Sequence, residues 1–166
     1  MILYHGGLNI ITSPNISHGR NKVDFGRGFY LTDIKEQAIR WANRRKRQTN
    51  QKSGFLNIYE FDENSELNIK KFGGYTEDWL DFVILNRTNE KDTIICDYDI
   101  VIGNVADDEV IVAIDTYIEQ IEKGRVTEYT KMALLAELEY SKENNQYAFK
   151  TGRSLISLKY INAEEI

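Results

Sequence analysis

The fold is decided by the stretch Asp24-Phe25-Gly26-Arg27-Gly28-Phe29-Tyr30-Leu31-Thr32 and the residues that follow it. Its two glycines, two positions apart, let the backbone turn tightly and let a ligand approach closely. Residues 28–32 predict a short strand, because aromatic residues and threonine fit a pleated surface. The unit is either a ligand site or a strand–helix corner around a core tyrosine, since Gly-x-Gly alone does not distinguish the two.

An amphipathic helix is predicted directly after this strand. Thr32 or Asp33 is the candidate N-cap, and Asp33 with Glu36 has the spacing of a capping box. Apolar side chains recur at i, i+4, i+7 and i+8 and so share one helical face: Ile34, Ala38, Trp41 and Ala42. Tyr30 is therefore expected where the strand meets the helix.

Length and composition predict one folded domain over residues 1–166, long enough for a real core. Hydrophobic residues make up 42% of the chain, and ten tyrosines and seven phenylalanines argue against disorder. The net charge of −5 gives no overall attraction to nucleic acid or to a membrane surface.

One cluster of cations runs against that balance, at the end of the predicted helix: Arg40, Arg44, Arg45, Lys46 and Arg47. Cations there interact favourably with the helix dipole, which explains them without any partner. The other interpretation is a surface for a phosphate-bearing or acidic partner.

The cellular location follows from cysteine usage and hydropathy. Cys96 is the sole cysteine, so the chain has no internal disulfide and a reducing compartment is expected. No apolar run approaches the ~20 residues of a membrane span, and the start lacks the features of a signal peptide. We predict a cytoplasmic protein without membrane contact, although a chain secreted without a signal peptide would have the same features.

Strands and helices alternate irregularly, which favours an α+β fold over a doubly wound sheet. Strands are predicted at 2–5, 28–32, 55–61, 67–72, 93–95, 98–105, 146–149 and 154–161. Besides the helix after Asp33, helices are predicted from the cap Thr76, over 112–123 up to Gly124, and from the cap Thr127 to about Tyr140. Residues 9–23 are predicted to form a loop.

Several chemistries are excluded or disfavoured. Two histidines thirteen residues apart and one cysteine give no zinc pattern, so no metal site is predicted. The acidic run Asp107-Asp108-Glu109 is either an acid/base cluster or a solvated loop. Cys96 is a poor nucleophile candidate, because Ile94 and Ile95 before it suggest burial, which disfavours the thiolate.

Three residues from separate segments remain as candidates. His5 ends the first strand and precedes Gly6-Gly7, whose backbone amides are open to a ligand. Tyr30 ends the second strand, and Gln146 opens a late one. Taken singly, each is more often a structural residue: His5 a structural histidine and Gln146 an ordinary edge-strand residue.

In combination these segments resemble the His–Tyr–Glu signature of ADP-ribosyltransferases of the diphtheria-toxin and poly-ADP-ribose-polymerase type. The resemblance is carried by Tyr4-His5-Gly6, by Phe25-Gly26-Arg27-Gly28-Phe29-Tyr30 with its helix, and by Asn145-Gln146-Tyr147. Nearly the whole chain is similar to a small bacterial family known as domain of unknown function 3990, placed near these transferases. Members of that family often look like toxins of toxin–antitoxin or phage-defence systems.

The resemblance implies split β-sheets with flanking helices and NAD, as substrate, in the cleft between them. His5 would bond the adenosine ribose, Gly6 would hold the nicotinamide carboxamide through its backbone, and Tyr30 would stack on the nicotinamide ring. The implied catalytic residues are Gln146, Tyr30 and His5. The implied NAD-binding set is His5, Gly6, Gly7, Asp24, Gly28, Phe29, Tyr30, Thr32 and Trp41.

The chain departs from the signature at Gln146, where the family pattern has glutamate. A neutral acceptor stabilises the oxocarbenium-like transition state less, by roughly 1–1.5 kcal/mol, which is about tenfold in rate. Glu143 could supply the missing charge. We therefore expect slower transfer of ADP-ribose. We also expect mono-ADP-ribosylation rather than elongation into a poly-ADP-ribose chain.

The expected function is an NAD-dependent mono-ADP-ribosyltransferase, acting as a toxin with an antitoxin partner. The acceptor is a macromolecule that the sequence leaves open among protein, RNA and DNA. The alternatives are a catalytically silent module that binds NAD or ADP-ribose, and a pure partner-binding protein with a vestigial cleft.

Overall fold

The computed structural model describes residues 1–63, 66–89, 97–138 and 144–166. Within them the chain is a mixed α+β fold with two sheets and five α-helices. The strands are β1 (Ile2–Gly7), β2 (Phe29–Leu31), β3 (Phe55–Phe61), β4 (Ile69–Lys71), β5 (Ile100–Asn104), β6 (Asn145–Phe149) and β7 (Leu158–Glu165). The α-helices are α1 (Lys35–Thr49), α2 (Glu77–Thr88), α3 (Asp108–Glu122), α4 (Glu128–Leu138) and α5 (Gly152–Leu155).

A short hydrogen-bonded junction links the two sheets. The first sheet has the order β1-β3-β7 and is antiparallel. The second has the order β2-β6-β5-β4, in which β4 and β5 run parallel. Tyr4 of β1 and Thr32 after β2 exchange two backbone hydrogen bonds of 2.8 and 3.0 Å, which join the sheets.

Alternating side chains of β2 enter two different cores, as the period of a strand requires. Phe29 and Leu31 belong to a cluster between the sheets that also contains Leu3, Tyr59 and Phe149. Tyr30 points to the opposite face. There it packs against a second cluster, which α2, α3 and α4 build with the four-stranded sheet.

Several local predictions are confirmed. The third strand has its predicted bounds, 55–61. Thr76 caps α2 by accepting a hydrogen bond from the Trp79 N–H, and Gly124, with φ of 64°, follows the end of α3. Thr127 accepts from the N–H of Thr130 at 3.3 Å and so caps α4.

The predicted start of α1 is wrong. Ile34 is the N-cap, and no side chain caps the helix. The Thr32 hydroxyl instead accepts from the Ile34 N–H at 3.1 Å and donates to the Asn145 carbonyl at 3.0 Å. The Asp33 carboxylate is engaged by the Tyr147 hydroxyl at 3.4 Å rather than by the helix.

Other bounds also differ from prediction: β1 continues to Gly7 instead of ending at His5, and β7 occupies 158–165 rather than 154–161. Residues 152–155 form α5 rather than the start of a strand, because Thr151 and Ser154 make a reciprocal capping box. Asp107 caps α3 by accepting from two backbone N–H groups, so this helix starts four residues before the predicted Val112. The acidic run 107–109 is thus the cap and first turn of a helix, where negative charge is favourable.

Some predictions cannot be compared with the structure. The predicted strand 93–95, Cys96, Glu143 and the predicted helix end at Tyr140 lie outside the described residues. The loop predicted at 9–23 contains a short 3-10 helix, Ile16–His18. In the part of the chain that is described, no helix has the length and apolarity needed to cross a membrane.

Candidate functional site

The candidate site begins where β1 and β2 separate. Tyr4 directs its backbone N–H and C=O to Thr32. Residues two apart in a strand direct these groups to the same edge, so those of Gly6 face β2 as well. Among the described residues, no hydrogen bond joins Gly6 to β2. This edge of β1 therefore carries one backbone donor and one acceptor at Gly6 that β2 does not pair, and we call this unpaired stretch between the strands the gap at Gly6.

His5 occupies the strand junction beside this gap. Its Nδ1 lies 2.8 Å from the carbonyl oxygen of Tyr30, and its ring stacks on Phe29 with 4.6 Å between centroids. A carbonyl only accepts, so Nδ1 carries the hydrogen, and in the neutral ring Nε2 is an acceptor. Burial lowers the pKa of His5 from its usual 6.5, against the opposing effect of the Tyr30 carbonyl. The ring is neutral at pH 7.

We expect the lowered pKa of His5 to make the protein less stable in mild acid. Unfolding releases His5 to water, so the unfolded chain binds more protons than the folded one below pH 6.5, and the free energy of unfolding falls with falling pH. Urea unfolding between pH 7.5 and 5.5 measures this. The fall should be smaller in His5→Asn and unchanged in His18→Asn, which alters an exposed histidine. Equal slopes of the free energy of unfolding against pH in the parent protein and both variants would contradict this prediction.

The Tyr30 side chain is fixed by the glycine turn before it. Its hydroxyl donates to the Gly26 carbonyl at 2.5 Å and accepts from the Phe25 N–H at 3.2 Å. Gly26 has φ of +70°, and a Cβ there would lie 2.3 Å from Oδ1 of Asn86. Only glycine fits this position, so the turn and the tyrosine determine each other's placement.

Asp24 is a buried carboxylate with four hydrogen-bond donors around it. Oδ1 accepts from Nε and Nη2 of Arg87, at 3.1 and 2.8 Å. Oδ2 accepts from the Ala106 N–H and from Nε2 of Gln146, both at 3.1 Å. Arg87 also reaches Asp115 at 3.1 Å. A buried charge needs such partners, and here three separate segments supply them.

Gln146 lies buried on β6, on the same face as Tyr30. Its Nε2 donates to Asp24 and, at 3.4 Å, to the Asn104 carbonyl. These acceptors define the orientation of the amide, because only its nitrogen can donate to them. The Oε1 atom, a hydrogen-bond acceptor, is therefore the end directed away from Asp24.

The three candidate catalytic residues converge on β2 from two sides. Tyr30 and Gln146 both contact the turn 24–26, through the hydroxyl and the amide. His5 stacks on Phe29, on the other face of β2, and reaches Tyr30 only through its backbone carbonyl. A ligand that contacts all three would therefore have to reach both faces of β2.

The remaining residues of the implied NAD-binding set have mixed placements. Thr32 and Asp24 are buried, with their oxygens engaged by protein groups. Gly28 permits close packing on β6, since a Cβ would lie 2.8 Å from the Phe149 carbonyl. A Cβ on Gly7 would lie 3.1 Å from Nε2 of His5, and Trp41 is half-buried on α1.

Three further residues near the site were not predicted. Arg87 follows Val83 by four residues, as expected in a helix, but this spacing does not predict its ion pair with Asp24. Gln37 of α1 is buried with both side-chain polar atoms unpartnered among the described residues, and the same holds for Nδ2 of Asn104. An unpartnered buried amide is costly, but nothing in the sequence distinguishes these from other polar residues.

No group of histidine, cysteine and acidic residues suited to a metal ion occurs in the described ranges. No curated protein and no solved structure gives a significant match to the chain. A sequence model of the family described as "Protein of unknown function (DUF3990)" matches residues 1–160. Since that match spans almost the full length, the chain belongs to the DUF3990 family.

Proposed function

We propose that the protein is an NAD-dependent mono-ADP-ribosyltransferase, which cleaves the nicotinamide–ribose bond and transfers ADP-ribose to a macromolecule. The supporting observation is the gap between β1 and β2, where Gly6 directs a backbone donor and acceptor toward β2. A carboxamide, which both donates and accepts, is complementary to such a pair. A toxin role with an antitoxin partner is part of this proposal and follows from the family resemblance.

The elongated shape of a dinucleotide suits the division of the site. The neutral His5 offers Nε2 as an acceptor for a ribose hydroxyl on one face of β2. The Tyr30 ring, held by its hydroxyl, offers a stacking surface for nicotinamide on the other. Such a stack contributes about 0.5–1.5 kcal/mol beyond burial. The two nucleotide halves would pass on either side of the Gly6 gap.

Gln146 would replace the charged acceptor of the signature with a neutral one. Its orientation by Asp24 directs Oε1, not the amide nitrogen, toward a ribose hydroxyl. The Asp24 charge itself is compensated by Arg87, so it opposes a developing cation only weakly. Transfer should therefore proceed about tenfold more slowly than with a carboxylate, since one fewer charge assists it.

Incubation with NAD labelled separately in the nicotinamide and the adenylate tests the proposal. We expect release of nicotinamide and labelling of a macromolecule from a cell lysate. Both should fall about 100-fold or more in Tyr30→Ala, because the nicotinamide loses its stacking partner and the turn 24–26 loses the hydroxyl that holds it in place. Tyr30→Phe, which keeps the ring, should retain most binding of NAD by calorimetry. Tyr129→Ala, at an 80% exposed tyrosine, is the matched control and should behave as the parent protein. Intact NAD after long incubation with lysate would contradict the proposal.

The compensated Asp24 charge also favours a second candidate, a silent module that binds NAD without cleaving it. Calorimetry would then show binding without turnover. Gln146→Glu alone is a poor test of lost chemistry, because it sets two carboxylates within hydrogen-bond distance and so favours protonation of one. The charge-conserving exchange Asp24→Asn with Gln146→Glu avoids this. Cleavage that appears only in the exchanged protein would identify the silent module.

A further inference from the structure

The exposed face of α1 carries a line of arginines. Arg40, Arg44 and Arg47 follow one another at i, i+4 and i+7, so they lie on one stripe of the helix. Successive positions are about 6 and 4.5 Å apart along the axis. All three side chains are exposed, as is Arg45 beside them. We call the three residues the arginine stripe.

Little of the positive charge on the arginine stripe is neutralised. Arg44 pairs with Asp108 at 2.7 Å, but both side chains are more than half exposed, and such pairs contribute little. For Arg40, Arg45 and Arg47 the structure gives no ion pair with any described residue. The stripe is thus a local exception in a chain of net charge −5.

We propose that the arginine stripe binds the phosphate backbone of a nucleic acid. Guanidinium groups match phosphate geometry with two parallel N–H donors and are weakly hydrated. The exposed residues of α1 are all polar, since Ala38 and Ala42 are fully buried and the larger Ile39 and Trp41 are half-buried. The exposed face therefore lacks the apolar anchors that a bilayer or a protein interface would require. A polyanion recognised by its charges is the partner that fits.

The arginine stripe and Gly6 lie on opposite sides of α1. The backbone of α1 lies directly against Gly6, because a Cβ there would come within 1.8 Å of the Ala38 carbonyl oxygen. Arg40 and Arg44 follow Ala38 by two and six residues, about 3 and 9 Å along the axis. They also lie about 200° and 240° around the helix from Ala38, so the arginine stripe faces away from Gly6, and a bound strand would run along the outer side of α1, about one helix diameter (about 10 Å) from Gly6. That this strand is the ADP-ribose acceptor rests on the proposed function; its binding does not.

Fluorescence anisotropy with a labelled 20-nucleotide RNA, without NAD, tests the binding. The test variant is Arg40→Gln/Arg44→Gln/Arg47→Gln. Lys123→Gln/Arg125→Gln/Lys159→Gln is the control, because it removes three exposed charges at the far end of α3 and on β7. We expect affinity to fall about tenfold or more in the test variant, and the slope of log K against log salt to fall by about 2. Equal losses in both variants would overturn the proposal.

The choice of partner and the link to catalysis are tested separately. Single-stranded DNA should bind like RNA, whereas poly-glutamate and anionic vesicles should bind more weakly; tighter binding of either of these would overturn the proposal. NAD hydrolysis to water should be unchanged in the stripe variant, while labelling of nucleic acid falls with its affinity. Stripe-dependent binding without any NAD cleavage would refute the proposed function and leave the nucleic-acid surface standing.

Discussion

Replacement of Arg87 by methionine should destabilise the folded protein by about 3–5 kcal/mol, because it leaves a buried carboxylate without its counter-charge. Asp24 and Arg87 are only 10% and 14% exposed, and Arg87 donates twice to the same Asp24 oxygen. The backbone of Ala106 and the amide of Gln146 would remain as the neutral donors to Asp24. Urea unfolding followed by circular dichroism measures the loss, and the melting temperature should fall on the order of 10 °C.

Two controls separate the buried pair from the exposed one. Asp115→Asn removes the second partner of Arg87, whose side chain is 58% exposed, and should cost less than about 1 kcal/mol. The double variant Asp24→Asn/Arg87→Met removes both charges and should recover much of the stability lost in the single variant. If Arg87→Met were no less stable than Asp115→Asn, the central role of this ion pair in the fold would be wrong.

Local signals in the sequence predicted most elements correctly. Thr76 and Thr127 precede helices as caps, and the aromatic and aliphatic residues of 55–61 predict a strand with its observed bounds. The helix signals work because the hydrogen bonds and side-chain contacts behind them join residues only three or four positions apart. The same rules could also have predicted α5, since Thr151 and Ser154 are three residues apart, as in a capping box. There the apolar residues after Ser154 favoured a strand instead.

The candidate site depends on contacts that no local rule describes. Asp24 meets Arg87 across 63 residues and Gln146 across 122. The sequence indicated Gln146 only through a resemblance, and it assigned Arg87 no role in the site. Long-range pairs of this kind are set by the position of β6 within the second sheet and by how α2 packs on that sheet. Their residue types are common on surfaces, so composition and periodicity do not distinguish them.

Replacement of Gly6 by alanine is the smallest change expected to separate α1 from the first sheet. A Cβ at this position would lie 1.8 Å from the carbonyl oxygen of Ala38 and 2.7 Å from its carbonyl carbon. Both are backbone atoms of a helix, so no side-chain rotation relieves the clash. Overpacking usually costs about 1–3 kcal/mol, and we expect a loss at or above the top of that range.

Alanine substitutions at two other glycines, Gly73 and Gly7, serve as controls for Gly6→Ala. Gly73→Ala adds a methyl group to open space and should leave the free energy of unfolding within about 0.5 kcal/mol. Gly7→Ala meets only the His5 ring, with Nε2 at 3.1 Å, and should disturb that ring more than the helix. Under the proposed function, NAD binding measured by calorimetry is lost in Gly6→Ala, because displacement of α1 and β1 removes the backbone groups that would hold the carboxamide. A Gly6→Ala protein as stable as Gly73→Ala would show that α1 does not lie against this strand, and the gap beside it would lose its wall.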